Sequence, residues 1–165
     1  MSAGQIPTGN QVQRRFMAGR SEARRFVLQM LYLFDQNPDA DMGRIRRQLN
    51  QEFPEAQLQQ FAWDLLNGIQ DKRRGLDELI RRTAVNWRIE RMAPTDRNVL
   101  RMGLYEMRYV GTPPAVVIDE AVTIAREFGT ENSGGFVNGI LDKLIPAATE
   151  TDFQGESSEV IEQSE

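Results

Sequence analysis

The chain has 165 residues, 40% of them hydrophobic and 27% charged, with a formal charge of −4 and neither cysteine nor histidine. That length holds one domain with a real core or two small helical lobes. The composition excludes thiolate nucleophiles, histidine bases and Cys/His zinc sites, and leaves carboxylate chemistry open in principle.

No apolar run is long enough to cross a membrane, and the polar start MSAGQIPTGNQVQ lacks a signal-peptide core. A cytoplasmic, non-enzymatic protein without cofactor or metal is expected. Apolar residues recur with the helical period in nearly every segment, and no alternating strand is found. A first helix is predicted over Arg20 to Gln36, stopping before Asn37-Pro38. A second covers Asp41 to Glu52. A long helical stretch follows from Glu55 to Thr83, with Asn67-Gly68 and Gly75 as potential breaks. Ala93-Pro94 reads as a stop, and Thr95 as the cap of a helix to Val110 closed by Gly111. Thr112-Pro113-Pro114 opens the next, which ends at Phe128-Gly129. The last helix starts in ENSGGFVNGILDKL and runs to Leu144, with Pro146 beyond it. The fold class is therefore all-α, with about seven helices joined by short connections. Residues 1–13 and the polar, acidic residues 147–165 are expected to be disordered.

The helical faces separate core from surface. In the first helix Ala23, Phe26, Val27, Met30, Leu31 and Phe34 form a core stripe. The opposite side carries Ser21, Arg25, Leu28 and Tyr32, with Arg24 beside them. The helix after Thr95 gathers Leu100, Gly103, Leu104 and Met107, with Gly103 allowing close helix approach. The next gathers Ile118, Ala121, Val122, Ala125 and Phe128, leaving Asp119, Glu120 and Arg126 outward as a solvated face. In the last helix Val137, Ile140, Leu141 and Leu144 face the core, Phe136 lies at the flank, and Gly139 is assigned to packing.

Charge is unevenly distributed. From Glu150 onward there are six acids and no base, and without them the formal charge is +2. The first 34 residues carry five arginines (Arg14, Arg15, Arg20, Arg24 and Arg25) against Glu22 alone. Such a head is the electrostatic footprint of a polyanion partner, although runs like it are often merely solvated. Arginine pairs with phosphate and stacks on bases, and Tyr32 has the chemistry to stack on an unpaired base. The last helix offers a second constellation. Asn132 or Ser133 would cap it, while Gly134 and Gly135 would leave its first-turn N–H groups open to a phosphate. Phe136 would stand beside them as a stacking platform or, on the plainer reading, as an edge-of-core residue.

These segments together resemble the NusB family of bacterial transcription antitermination factors. The resemblance lies in the arginine-rich start leading into RRFVLQMLYLFD, in NWRIERM and DRNVLRMGLYEM, in PPAVVIDEAVTIAREFG, and in SGGFVNGILDKL. It covers roughly residues 14 to 146 and implies two packed helical lobes, roughly 14–84 and 85–146, without catalytic activity. It also implies binding to the boxA element of nascent ribosomal RNA together with the tenth protein of the small ribosomal subunit. The pair would then load onto the RNA polymerase elongation complex with other Nus factors. The implied RNA contacts are Arg20, Arg24, Tyr32 and Phe136, with Arg25, Asn132 and Ser133 beside them, and Asp96 is the implied partner contact. Two positions depart from the family pattern: Gly135 stands where many relatives have lysine, and Asn132 where an acid is frequent. The alternative is a protein–protein scaffold or homo-oligomer of the same fold, without specific RNA binding, that uses Tyr32 and Phe136 between protein chains; a homodimer is one possible form.

Overall fold

Helical periodicity is realised as six α-helices among the described residues of the computed structural model, which are residues 8–150. They are α1 (Gly9–Gln36), α2 (Met42–Glu52), α3 (Ala56–Thr83), α4 (Pro94–Tyr105), α5 (Pro114–Phe128) and α6 (Ser133–Thr149). A 3-10 turn, Ile89–Arg91, precedes α4, and a π-helical turn, Glu106–Val110, follows it. The acidic segment from residue 151 lies outside the described residues.

The element ends follow local chemistry. The side chain of Asp41 accepts the Gly43 N–H at 2.8 Å and caps α2. Helix α4 starts on Pro94, not after it, because proline at the first helical position gives up an N–H that has no partner there anyway. Thr95 is therefore inside the helix and does not cap it. Gly111 closes the π turn with φ 78°, a left-handed conformation that glycine adopts without steric cost. Two helices exceed their expected lengths. Helix α1 begins at Gly9, and α6 continues through Pro146 to Thr149, whose hydroxyl donates to the Ile145 carbonyl at 2.8 Å.

Helix α3 is unbroken. Gly68 serves a contact instead, since a Cβ there would collide with the ring and hydroxyl of Tyr105. Gly19 likewise lets α1 approach Leu58 of α3, and Gly103 has Leu141 and Val117 at 3.1–3.3 Å from where its Cβ would stand.

The packing centres on α4, in which seven consecutive residues, Asn98 to Leu104, are all buried. A helix covered on every side needs apolar residues all round or polar ones with partners. Arg101 meets this condition by donating two hydrogen bonds to Asp77, at 2.7 and 3.0 Å. Helices α1 and α3 cover one flank of α4, and α5 and α6 the other, with a hydrophobic cluster continuous through both. Helix α1 runs antiparallel to α4, because Arg24 meets Glu106 and Asp35 meets Asn98. The start of α4 and the start of α6 lie at the same end of the molecule, where both contribute to one groove.

The expected core stripes of α1, α4 and α6 are buried. On α5 the buried set is Val117, Ala121, Ile124 and Ala125, and Phe128 is exposed. That face is turned by about one residue from the expected one, because α5 packs between α4 and α6 and not against a single neighbour.

Candidate nucleic-acid interface

Within the basic head, the arginines of α1 differ in what holds them. Arg20 lies between two aromatic rings, its guanidinium carbon 4.9 Å from the Phe16 centroid and 4.6 Å from that of Phe61. Its Nε is buried without a hydrogen bond, and no carboxylate neutralises it among the described residues. The rings thus order a cation while leaving its charge uncompensated.

Arg24 is different. Expected beside the outward face, it is only 4% exposed and donates Nε and Nη2 to the two oxygens of Glu106, both at 2.8 Å. Glu120 of α5 stands 3.6 Å away and accepts from the Ser21 hydroxyl at 2.7 Å, so this acid is not simply a solvated one. Burial disfavours the Arg24 charge, but hydrogen bonding and attraction to Glu106, with Glu120 behind it, outweigh that and raise its pKa. The sequence reading of Arg24 as an outward phosphate contact is therefore corrected: its side chain joins α1 to α5 and the π turn. Leu28, also expected outward, is buried. Arg25 is partly exposed and pairs with Glu127 at 2.7 Å. Tyr32 does face outward, at 50% exposure.

At the start of α6, neither Asn132 nor Ser133 caps the helix through its side chain. Ser133, 1% exposed, turns its hydroxyl back to accept the Thr130 N–H at 2.9 Å, which shapes the α5–α6 connection. Asn132 is exposed. The two glycines are not equivalent. Gly134 is buried beneath Arg126, whose Nε would be 2.9 Å from an added Cβ, whereas Gly135 faces open space. The helix start is thus open at Gly135 and flanked by an arginine at Gly134. Gly139, assigned to packing from the sequence, also faces open space.

Phe136 is partly buried and meets Trp87 edge to face, with centroids 5.2 Å apart and planes at 77°. This pair forms part of the wall of a groove of about 860 Å³. It is lined by Asn86, Trp87, Arg88, Arg91, Met92, Ala93 and Asp96 from the segment before α4 and its first turn, and by Thr130, Asn132 and Phe136 from the α5–α6 connection and the start of α6. The structure thereby brings together Asn132, Phe136 and Asp96. Arg20, Arg24, Arg25, Tyr32 and Ser133 do not line this groove. Sequence reading missed Trp87, Arg88, Arg91 and Arg126 as site residues. The signal was present in NWRIER, where a tryptophan stands among arginines in a segment with no helical period of its own.

Fold and site define an all-helical protein with a basic, aromatic surface groove, and no helix among the described residues is long and apolar enough to cross a membrane. A profile of the NusB family matches residues 21–146. The transcription antitermination protein NusB of Desulforapulum autotrophicum is 39% identical over 132 residues, covering 78% of this chain and 92% of that protein. The structure is similar to that of T. maritima NusB, with a TM-score of 0.71 at 36% identity, covering 77% of this chain and 90% of the other. The same fold recurs, at a TM-score of 0.70 and 24% identity over 79% of this chain and 98% of the other, in a crystal structure of the antitermination factors NusB and NusE in complex with dsRNA. The chain belongs to the NusB family.

Proposed function

We propose that this chain is a non-enzymatic, cytoplasmic RNA-binding factor of transcription antitermination. It would bind a boxA-type sequence in nascent ribosomal RNA together with the tenth small-subunit ribosomal protein, and act on the RNA polymerase elongation complex with other Nus factors. The observation that carries this reading is the groove in which Trp87 and Phe136 form an aromatic surface flanked by Arg88 and Arg91, beside the open start of α6. Stacking surfaces flanked by cations suit unpaired nucleotides. Arg20, held by two rings and unneutralised, adds a phosphate contact on α1, and exposed Tyr32 a further stacking surface. Arg24 and Ser133 act by positioning these groups. The two lobes, roughly 14–84 and 85–146, would each contribute one part of the RNA path.

With about three phosphates neutralised, the salt dependence on single-stranded RNA has a slope of only about −2. The protein alone therefore binds weakly, and the ribosomal partner extends the surface. A titration of boxA-type RNA and a scrambled control, with and without that partner, tests the reading. Preference for the boxA-type RNA in the partner's presence is expected, and equal affinity for both RNAs would overturn it.

A further inference from the structure

Helix α2 carries three arginines, Arg44, Arg46 and Arg47, within its 11 residues, and none of them forms an ion pair among the described residues. Only Ile45 and Leu49 of this helix are buried, so the three arginines are spread around its outward half. Arg44 and Arg47 are exposed. The Arg46 guanidinium lies over Trp63 of α3, 4.7 Å from the ring centroid, which orders the cation without neutralising it.

Their position is electrostatically unfavourable. Arg44 stands on the first turn of α2, and the Arg47 side chain runs back toward that turn, its Nη1 3.6 Å from where a Gly43 Cβ would stand. The N-terminal end of a helix is the positive end of its dipole and disfavours cations. Asp41, at the same end, is engaged as the cap, its carboxylate accepting the Gly43 N–H. Helix α3 is the contrast. Its Arg81 and Arg82 stand in the last turn, where the dipole favours them, and they pair with Glu90 and Glu78.

We infer that the outward face of α2 is a second RNA contact, separate from the groove and from Arg20, where Arg44, Arg46 and Arg47 hold the phosphate backbone of the chain. The inference rests on the RNA-binding reading and adds a surface to it. A run of phosphates places anions at the positive helix end and gives three unpaired guanidinium groups their counter-charge. A protein partner fits less well, because α2 exposes no large apolar side chain to act as the buried anchor of such an interface. Backbone contacts of this kind position the chain and read no sequence.

The two RNA surfaces lie apart. Trp63, under Arg46, and Phe61, under Arg20, point about 200° from each other around α3. The α2 face is therefore across α3 from the free arginine of α1, and none of its residues lines the groove. A short RNA seated on one surface does not reach the other, whereas a longer transcript passes over both.

The test uses the full chain and two single-stranded RNAs. One is a boxA-type RNA of about 12 nucleotides, the size of a single binding site, and the other is the same sequence flanked by uridines to about 40 nucleotides. The parent chain should bind the longer RNA several-fold tighter at low salt, with a salt slope steeper by about 2, the contribution of three further phosphates. The double variant Arg44→Gln, Arg47→Gln should make the slope on the longer RNA shallower by about 1.4 and leave affinity for the shorter RNA within about twofold. Arg44→Lys, Arg47→Lys keeps both charges and should keep the parent slope. Both positions are exposed, so neither variant disturbs the core. Equal affinity and slope of the parent on the two RNAs overturns the inference but leaves RNA binding standing. So does a glutamine variant that binds the longer RNA as the parent does, since the arginines are then only solvated. A glutamine variant that weakens both RNAs alike also overturns it, since α2 then belongs to the first surface. The same holds for a lysine variant with the slope of the glutamine one, because loss of charge is then not the cause. Loss of affinity for the ribosomal partner protein alone overturns it too and makes α2 a protein contact. If the parent chain binds neither RNA, the RNA-binding reading falls, and the second contact with it.

Discussion

The guanidinium of Arg24 holds the carboxylate of Glu106 by two parallel hydrogen bonds of 2.8 Å, with the two residues only 4% and 2% exposed. Four residues earlier on the same helix, Arg20 is held by aromatic rings and paired with no carboxylate among the described residues. One arginine is therefore structural and the other available. Arg24→Ala strands a buried carboxylate and should cost about 3–5 kcal/mol in denaturant unfolding, whereas replacing both Arg24 and Glu106 by apolar residues of similar volume should recover much of that loss. Arg20→Ala should cost far less stability and weaken RNA binding, with a shallower salt dependence.

Two glycines of α3 should respond to alanine with opposite signs. At Gly75 an added Cβ meets nothing, so Gly75→Ala gains helix propensity and should stabilise the fold by about 0.5–1 kcal/mol. At Gly68 the same Cβ collides with Tyr105, and displacing that ring should cost about 1–3 kcal/mol, more than the propensity gain. Chemical denaturation of the two variants beside the parent checks both.

Gly135 lies on the exposed side of α6 with room for a side chain. Gly135→Lys should tighten RNA binding several-fold at low salt. It should also steepen the salt slope by about 0.7, the contribution of one further phosphate on a single strand. Affinities measured across a salt series give both numbers, and an unchanged slope would show that no phosphate comes within reach of this position.

Asp35 accepts hydrogen bonds from Arg73 (2.7 Å), Asn98 (2.9 Å) and Arg97 (3.2 Å). Burial by itself would raise its pKa, but the bonds from Asn98 and Arg97 and the charges of Arg73 and Arg97 prevail and hold it below the ordinary value of 3.8. A carboxyl that is the stronger acid in the folded state contributes its full stability above its unfolded-state pKa and loses it as pH falls through the folded-state value. Asp35→Asn should therefore cost about 2 kcal/mol near neutrality. The gap between variant and parent should narrow below about pH 4 in thermal melts followed over pH.

The scaffold alternative shares Tyr32 and Phe136 with the RNA reading, so size and affinity must be measured on the same variants. Tyr32→Ala and Phe136→Ala should each lower RNA affinity by about 1–3 kcal/mol, the range for loss of one stacked base, without changing oligomeric state in light scattering. A change of mass with RNA affinity intact would instead make these residues a protein interface.

Much of the architecture was legible before any coordinates. The i, i+3, i+4 stripes of α1 and α6 are buried as expected, and Gly103 does permit a close approach, here to Leu141 and Val117. The family resemblance also follows from linear stretches such as VIDEAVTIAREFG and FVNGILDKL. Periodicity failed where a helix has more than one neighbour. It assigns one inward stripe per helix, but α1 touches both α3 and α4, so Arg24 and Leu28 went inside together with the stripe.

The sequence by itself determined the helices, their apolar faces and the family, because these depend on residue types at fixed spacings along one chain. Only the tertiary structure decided which arginines remain free and which groups share a groove. Glu106 lies 82 positions from Arg24, and Trp87 meets Phe136 across two intervening helices, α4 and α5. Charge compensation and ring stacking act through space over a few ångströms, and residue spacing along a helix carries no record of which distant residue will come that close.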